Sequence, residues 1–179
     1  MKKLFTLLAL TMSFSMNAQM SDYSEGTSAT GSNAVAMGKS TTASGSRSTA
    51  MGGDSTASGD FSVAMGRGTT ASGTNSTAMG SGTIASGNNS SAMGYYTTAS
   101  GHKTTAMGAN TTASDYASLV IGQFNSSGSS VTNNATSFST SNTAFVIGNG
   151  VDSSNKSDAF KVMFNGDATA VSYTHLRAH

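Results

Sequence analysis

The sequence predicts an all-β protein whose central part is a parallel β-solenoid (a β-roll) wound in coils of 14 residues. The first observation is an alanine at every seventh position, without exception, from Ala29 to Ala113. The second is a glycine two residues after each alanine, from Gly31 to Gly108, with Asp115 as the one departure. The third is the residue between them, which alternates between methionine and serine over six units, so that the full period is 14. So strict a register indicates stacked structural units.

The chain begins with the features of a secretory signal peptide. Two lysines precede an apolar run from Leu4 to Leu10, and small and polar residues follow up to Ala18. A basic start, a short apolar run and small residues at the cleavage site are typical of export signals, and the run is too short to span a bilayer. We therefore expect residues 1–18 to be removed during export across the inner membrane, leaving residues 19–26 as a short polar segment.

Composition restricts both the source of stability and the partners. The chain has no cysteine, so no disulfide supports the fold outside the cell. Without the signal peptide and residues 171–179, which are discussed below, six basic residues face eight acidic ones. This balance predicts no attraction to nucleic acid or to an anionic membrane. Composition alone suggests a flexible Gly/Ser linker as the alternative. A flexible linker, however, has no reason to keep a strict repeat spacing.

The repeats extend over residues 27–122 and contain six full units after a leading half-unit. Pieces such as Ser-Thr-Ala-Met-Gly and Thr-Thr-Ala-Ser-Gly are short, contain β-branched residues and end at glycine, which predicts strands. A coiled coil also has a period of seven, but here glycine recurs in every heptad and no leucine or isoleucine seam is present. We predict two facing strands per coil, with the glycines at the bends.

Alternation of side chains along a strand assigns the alanines to the inside of the coil. Alanine is constant in both halves of the unit, so both strands direct a small side chain into a thin interior. The predicted interior residues are Ala36, Ala43, Ala50, Ala57, Ala64, Ala71, Ala78, Ala85, Ala92, Ala99, Ala106 and Ala113.

The two outer faces of the coil differ in chemistry. One carries threonine and serine and is predicted to face solvent, whereas the other carries a methionine in every unit. Burying a methionine stabilises a fold by roughly 1.5–3 kcal/mol, and a continuous exposed apolar strip indicates an interface. We therefore predict that the chain folds only as an oligomer. The predicted interface residues are Val35, Met37, Met51, Val63, Met65, Met79, Met93 and Met107.

The register weakens after the last full unit. The residues Ser118 to Gly122 keep the strand-to-glycine pattern with valine in place of alanine, as expected of a bulkier terminal coil. Residues 123–143 are rich in Ser, Asn and Thr and predict a loop. Residues 144–170 contain two apolar strand patterns and an Asn-Gly turn signal. We interpret them as a short β cap or neck in which Phe160, Val162 and Phe164 share one face.

The last nine residues differ in composition and rhythm from everything before them. Residues 171–179 resemble the translation of a common transposase sequencing adapter. We interpret them as an artefact and leave them out of the fold prediction. The native protein is then expected to continue beyond Ala170.

The repeat units resemble a known family. The form Ser-Thr-Ala-Met-Gly…Ser-Thr-Ala-Ser-Gly, from Thr27 to Gly122, resembles the 14-residue head repeats of trimeric autotransporter adhesins, the YadA-like heads. The resemblance implies a left-handed parallel β-roll, three copies packed side by side, and display at the outer membrane of a Gram-negative cell. It implies attachment to host matrix, other cells or surfaces, with contact to the membrane only through a C-terminal anchor beyond this sequence. Repeats of this family commonly have the motif Val-Ala-Ile-Gly, whereas the corresponding motif of this chain is Val-, Thr- or Ser-Ala-Met-Gly.

The catalytic inventory predicts no enzyme, no cofactor and no metal site. Hexapeptide acyltransferases need a period of six, and the period here is seven. His102 is the one histidine outside the adapter-like segment and is predicted to be a solvated bend residue. Asp54, Asp60 and Asp115 are interpreted as scattered surface carboxylates rather than an acid–base pair. Gly148-Asn149-Gly150 is interpreted as a turn.

Three aromatic residues are candidate contacts for an extracellular matrix or cell-surface ligand. Phe61, Tyr95 and Tyr96 occupy bends where other units carry polar residues, and aromatic residues at such places are able to anchor a partner. Packing against a neighbouring coil or chain is the alternative for all three.

The threonine face leaves one further alternative open. Ordered threonine arrays on β-solenoids resemble ice-binding proteins, and a purely structural spacer is also compatible with the repeats. The array is interrupted by Ile84, its second row is serine, and ice binding gives no role to the methionines. The threonines concerned are Thr42, Thr56, Thr70, Thr98 and Thr112.

Overall fold

The computed structural model describes residues 26–170, which form strands, bends and turns and contain no helix. No segment in this range therefore forms a helix long and apolar enough to cross a membrane. The predicted signal peptide (1–18), nearly all of the polar segment (19–26) and the adapter-like segment (171–179) lie outside the described residues.

The described chain contains 17 strands, most of them in pairs of one long and one short strand. In chain order they are β1 (Ser28–Ala29), β2 (Val35–Lys39), β3 (Thr42–Ala43), β4 (Thr49–Gly53), β5 (Thr56–Ala57), β6 (Val63–Arg67), β7 (Thr70–Ala71), β8 (Thr77–Ser81), β9 (Ile84–Ala85), β10 (Ser91–Tyr95), β11 (Thr98–Ala99), β12 (Thr105–Ala109), β13 (Thr112–Ala113), β14 (Leu119–Gln123), β15 (Thr143–Asn149), β16 (Asp158–Met163) and β17 (Ala168–Ala170).

The strands form two sheets, and the predicted all-β solenoid with 14-residue coils is confirmed. The long-strand sheet contains β2, β4, β6, β8, β10, β12 and β14, followed by β15, β16 and β17. The short-strand sheet contains the odd-numbered strands from β1 to β13. Within the repeats, neighbouring strands are parallel and in register, so that Ala64 lies opposite Ala50 on one side and Ala78 on the other. Each coil therefore has one long strand, one short strand and two bends.

The short strands are shorter than the five-residue pieces in the sequence suggest. Only two residues of each stay in the ladder, because the chain turns immediately after the alanine. Immediately after β3, the N–H groups of both Ser44 and Gly45 donate to the carbonyl oxygen of Ala57, at 2.9 and 3.3 Å. One carbonyl shared by two successive donors ends the extended conformation, so the second wall of the coil is narrow.

The interior between the sheets is filled by small side chains. The twelve alanines from Ala36 to Ala113 are 0–2% exposed, and the residue two before each of them, which is Ala34 in the first case and Ser or Thr in the others, is also buried. Three of these hydroxyls form hydrogen bonds: Ser55 donates to the carbonyl oxygen of Gly66 at 3.1 Å, Thr69 donates to Ser55 at 2.9 Å and Thr104 donates to the carbonyl oxygen of Gly101 at 2.8 Å. The other eight have no hydrogen-bond partner among the described residues. Methyl and hydroxyl groups thus make up the interior, which holds no large apolar side chain before Val120.

Glycine is required wherever neighbouring coils touch through their backbones. Gly66 has a φ of 132°, and a Cβ atom there would collide with the carbonyl oxygen of Gly80 in the next coil. At Gly73 the backbone is not in the left-handed region, but an added Cβ would collide with the carbonyl oxygen of Gly87. Both glycine columns of the repeat therefore mark places where the coils are too close for a side chain.

Asp115 stands at the end of one glycine column and is not a surface carboxylate, so that prediction was wrong. Its side chain is fully buried. One carboxylate oxygen accepts the N–H of Thr132 at 2.6 Å and the other accepts the N–H of Thr143 at 2.7 Å. The short-strand sheet ends at β13, so no further glycine lies above this position and a side chain has room. Asp115 fixes the loop between β14 and β15 onto the last coil.

The exposed edge of β13 is covered by the same loop. The side-chain amide of Asn125 accepts the N–H of Thr112 at 2.8 Å and donates to the Thr112 carbonyl oxygen at 2.9 Å. The carbonyl oxygen of Gly128 accepts the N–H of Ser114 at 2.9 Å. These bonds replace those of a further strand, and they prevent this edge from pairing with another chain.

The long-strand sheet continues beyond the repeats, so residues 118–122 are not the terminal coil that the sequence suggested. The strand β15 pairs in parallel with β14, with Val146 opposite Val120 and Gly148 opposite Gly122. Both valines are fully buried and occupy the alanine column where loop residues have replaced the short strands. The strands β16 and β17 then add in antiparallel order.

Two glycine substitutions test the close contact between coils. We expect Gly66→Ala to lower the free energy of unfolding by at least about 3 kcal/mol, because it adds a backbone collision to an unfavourable φ. Gly53→Ala is the matched control, since no atom lies within 4 Å of its added Cβ and its φ is not in the left-handed region. It should change stability by less than about 1 kcal/mol. Urea unfolding followed by circular dichroism measures both, and equal effects would contradict the glycine requirement.

Candidate interaction surfaces

The outer side of the long-strand sheet carries a continuous apolar column, and we call this side the methionine face. In-register pairing places one methionine directly above the next in six successive coils, and isoleucine takes the same place in β14 and β15. The second column of this face has valine at Val35 and Val63 and a hydroxyl residue in the other four repeat strands, and it becomes apolar at Leu119 and Phe145. The methionine column consists of Met37, Met51, Met65, Met79, Met93, Met107, Ile121 and Ile147.

The methionines are half-buried in the single chain rather than fully exposed. Neighbouring strands lie about 4.8 Å apart, so each methionine covers part of the one in the adjacent coil. The gain from covering this face with a partner is therefore smaller than the full 1.5–3 kcal/mol per methionine. All eight residues predicted at the interface, including Val35 and Val63, lie on this face and are half-buried.

The methionine face extends further than the repeats indicated. Cross-strand pairing places Phe160 opposite Ile147 and Val162 opposite Phe145, with the rings of Phe145 and Phe160 6.1 Å apart. The repeated pattern of a large apolar residue followed by Val-Ile-Gly, at Leu119 and Phe145, was the available signal. Phe164 lies just beyond β16 and contacts Phe138 at 5.1 Å between ring centroids.

The two bends of each coil form two separate edges of the roll. The first edge follows the long strands and contains Tyr95 and Tyr96, and the second edge follows the short strands and contains Phe61. The three aromatic residues predicted as ligand contacts are therefore not brought together. Asp54 lies on the first edge and Asp60 on the second, so these carboxylates do not form a pair either.

A groove of about 350 Å³ lies on the first edge and includes Tyr95 and Tyr96. The two rings meet edge to face, with centroids 4.6 Å apart and planes at 87°. Both side chains are about half exposed, at 53% and 56%. The complete lining consists of Asp54, Arg67, Gly68, Ser81, Gly82, Tyr95 and Tyr96.

The second edge presents a more dispersed set of side chains. Phe61 is 48% exposed, and the Arg47 guanidinium of the preceding coil lies 5.1 Å from the centroid of its ring. The Lys103 Nζ atom donates to the Tyr116 hydroxyl at 2.8 Å. His102, on the same edge, is half-buried and its backbone N–H donates to the Ala135 carbonyl oxygen.

The backbone at the bends places an unusual demand on large residues. One residue in each bend has a φ of roughly 40–65°, in the left-handed region. On the first edge, glycine holds this place at Gly68 and Gly82, whereas Tyr96 holds it with a φ of 49°. A non-glycine residue costs about 1–2 kcal/mol there, except for Asn and Asp, which tolerate the conformation. At Tyr96 and Phe61 the free-energy cost of the backbone strain must therefore be offset by favourable interactions elsewhere.

The described residues offer little for metal or acid–base chemistry. Among residues 26–170 no three His, Cys, Asp or Glu side chains come together as a metal site. Asp152, in the turn between β15 and β16, has a lowered pKa because the side chain of Asn155 and then the N–H groups of Ser154 and Asn155 bond to its carboxylate. That turn is outside the groove.

Comparison with known proteins identifies the repeats. The family model described as "YadA head domain repeat (2 copies)" matches slightly more than half of the chain. The matched segments are residues 29–55, 43–69, 71–97 and 99–125. They coincide with the stacked coils of the roll. No curated protein matches the chain.

Replacement of Phe61 tests whether this aromatic residue is structural. We expect Phe61→Asn to change the free energy of unfolding by less than about 1 kcal/mol, because relief of the left-handed strain offsets the loss of an exposed cation–π contact with Arg47. Thermal and urea unfolding measure the change. A loss of more than about 2 kcal/mol would show instead that Phe61 packs as part of the fold.

Proposed function

The chain belongs to the YadA head repeat family, and we propose on that basis that it is the head of a trimeric adhesin displayed on the cell surface. The head attaches the cell to host matrix, other cells or surfaces by non-catalytic contact. Family membership supports an adhesin-type role, and the rigid stack of coils suits a scaffold that presents its edges to a partner. The chain is exported across the inner membrane and held at the outer membrane of a Gram-negative cell by a C-terminal anchor.

The methionine face is the single observation that carries the assembly. It is an unbroken apolar column of eight residues on the outer side of the long-strand sheet, whereas the buried hydrophobic residues of the six full repeat units are all alanine, which buries little apolar surface. A second and third copy of the same chain would cover this column, as an apolar strip of this length requires. The number of copies, three, is taken from the family and not from this surface.

Ice binding receives no support from the geometry of the threonine face. Only one threonine per coil lies in the regular part of the short-strand sheet, so the ordered array is a single residue wide. Ile84 projects in the middle of it and is 41% exposed. Purified protein that shows thermal hysteresis would overturn this reading.

Charge placed on the methionine face should dissociate the oligomer. We expect Met65→Asp with Met79→Asp to yield monomer or unfolded chain, because two carboxylates per chain would be buried without partners. Light scattering coupled to size exclusion gives the mass, and circular dichroism reports the β structure. Ser72→Asp with Ser86→Asp is the matched control, since both serines are exposed on the opposite face, and this variant should keep the mass of the parent. A Met65/Met79 variant of unchanged mass would contradict the interface.

Attachment itself is tested with beads coated with the purified protein. Beads carrying the parent protein should adhere to immobilised matrix proteins or to cultured cells, and beads carrying the Ser72/Ser86 variant should adhere equally. The Met65/Met79 variant should adhere weakly, because attachment through three copies at once gains avidity that single chains lack. Parent beads that adhere to none of these surfaces would contradict the adhesin function.

A further inference from the structure

We propose that the groove on the first edge binds a neutral pyranose ring of a surface glycan. The proposal rests on the adhesin function and names the chemical class of its ligand. Four side chains carry it: Tyr95 and Tyr96 at one end of the groove, and Arg67 and Asp54 at the other.

The floor of the groove is made of glycines. Gly68 and Gly82 occupy the same bend position in successive coils, two coils and one coil before Tyr96, respectively. Coils are about 4.8 Å apart, so the two glycines occupy about 10 Å between Tyr96 and Asp54. The Tyr96 ring covers Gly82, and Gly68 is the uncovered part of the floor. The uncovered part of the floor and the volume of about 350 Å³ suit one sugar ring.

Tyr96 is positioned by close contact with this floor. A Cβ atom added at Gly82 would lie 2.7 Å from each of two carbons of the Tyr96 ring, so the ring rests directly on the glycine. Tyr95 meets it edge to face. The pair thus presents a fixed aromatic surface to the groove. Tyr96 has this place although its backbone is in the left-handed region, where glycine or asparagine would fit without strain.

The charged end of the groove is available to a ligand. In the described part of the chain, neither the Arg67 guanidinium nor the Asp54 carboxylate forms a hydrogen bond or ion pair with another side chain, although both line the same groove. A carboxylate accepts bonds from two adjacent sugar hydroxyls and a guanidinium donates to others, both as charge-assisted bonds. The opposite charges balance, which favours a neutral sugar over a sialic or uronic acid.

The backbone of this edge argues against an extended peptide as the ligand. Peptides that add to a β structure need free backbone donors and acceptors. Here the N–H groups of Gly68, Gly82 and Tyr96 already donate to carbonyl oxygens of the preceding coil, at 2.8–2.9 Å. Recognition is left to side chains, and stacking of the C–H face of a pyranose on an aromatic ring suits that arrangement.

Binding is measured with the purified full chain on immobilised carrier protein bearing galactose, glucose, mannose, N-acetylglucosamine or N-acetylgalactosamine, with sialylated conjugates alongside. We expect capture by at least one neutral conjugate, weakened about tenfold by Tyr96→Asn, as for loss of a central aromatic anchor. The melting temperature of Tyr96→Asn should be equal or higher, because asparagine relieves the left-handed strain. Phe61→Asn makes the same exchange on the opposite edge and should leave capture unchanged.

Three results would overturn the proposal: no capture of any neutral conjugate, capture only of sialylated conjugates, or equal capture by the parent and Tyr96→Asn. A lower melting temperature of Tyr96→Asn with unchanged capture would show that Tyr96 stabilises the fold without binding the glycan, and it would also contradict the proposed binding site. The bead assay separates this from the proposed function. Parent and Tyr96→Asn beads that adhere equally would remove the glycan groove and keep the adhesin, whereas parent beads that do not adhere would contradict the adhesin itself.

Discussion

The close contact between backbones of successive coils is the constraint on which the structure depends. Glycine columns such as the one through Gly66 and Gly80 let the carbonyl oxygen of one coil approach the Cα of the preceding coil, which keeps the strands in register. Register then aligns every chemical property of the repeat into a column: alanine and hydroxyl groups inside, methionine on one face, and variable residues at the bends. The scaffold is therefore nearly constant, and the residues at the two edges vary most.

The narrow interior has a consequence for stability. Alanine, serine and threonine bury little apolar area per residue, and apolar area is the main source of folding free energy. A chain without disulfides and with this interior depends on apolar surface elsewhere. The methionine face supplies that surface, and it becomes more apolar from β14 onward, where the interior residue changes to valine in β14 and β15. Methionine, being unbranched and flexible, also covers its neighbours within one chain.

Much of the fold could be predicted because the repeat is strictly periodic. Period, strand type, interior alanines and the methionine column all follow from spacing. The burial of Asp115 and the Asn125 cap could not, because both depend on a loop whose path is set by tertiary contacts. The in-register pairing of β15 with β14 could not be predicted either, because the 14-residue spacing of the repeats is interrupted by that loop. The sequence could have predicted that Phe61 and Tyr96 lie on opposite edges, because an odd number of seven-residue half-units separates them. The sequence could not predict the groove, because its lining residues come from four different coils.

The central claim is that folding of the roll is coupled to association through the methionine face. The most direct test is the melting temperature of the purified chain over a hundredfold range of protein concentration. Mass action stabilises an associated folded state as concentration rises, so the melting temperature should increase with concentration. A melting temperature independent of concentration, with a folded species of monomer mass, would contradict the claim.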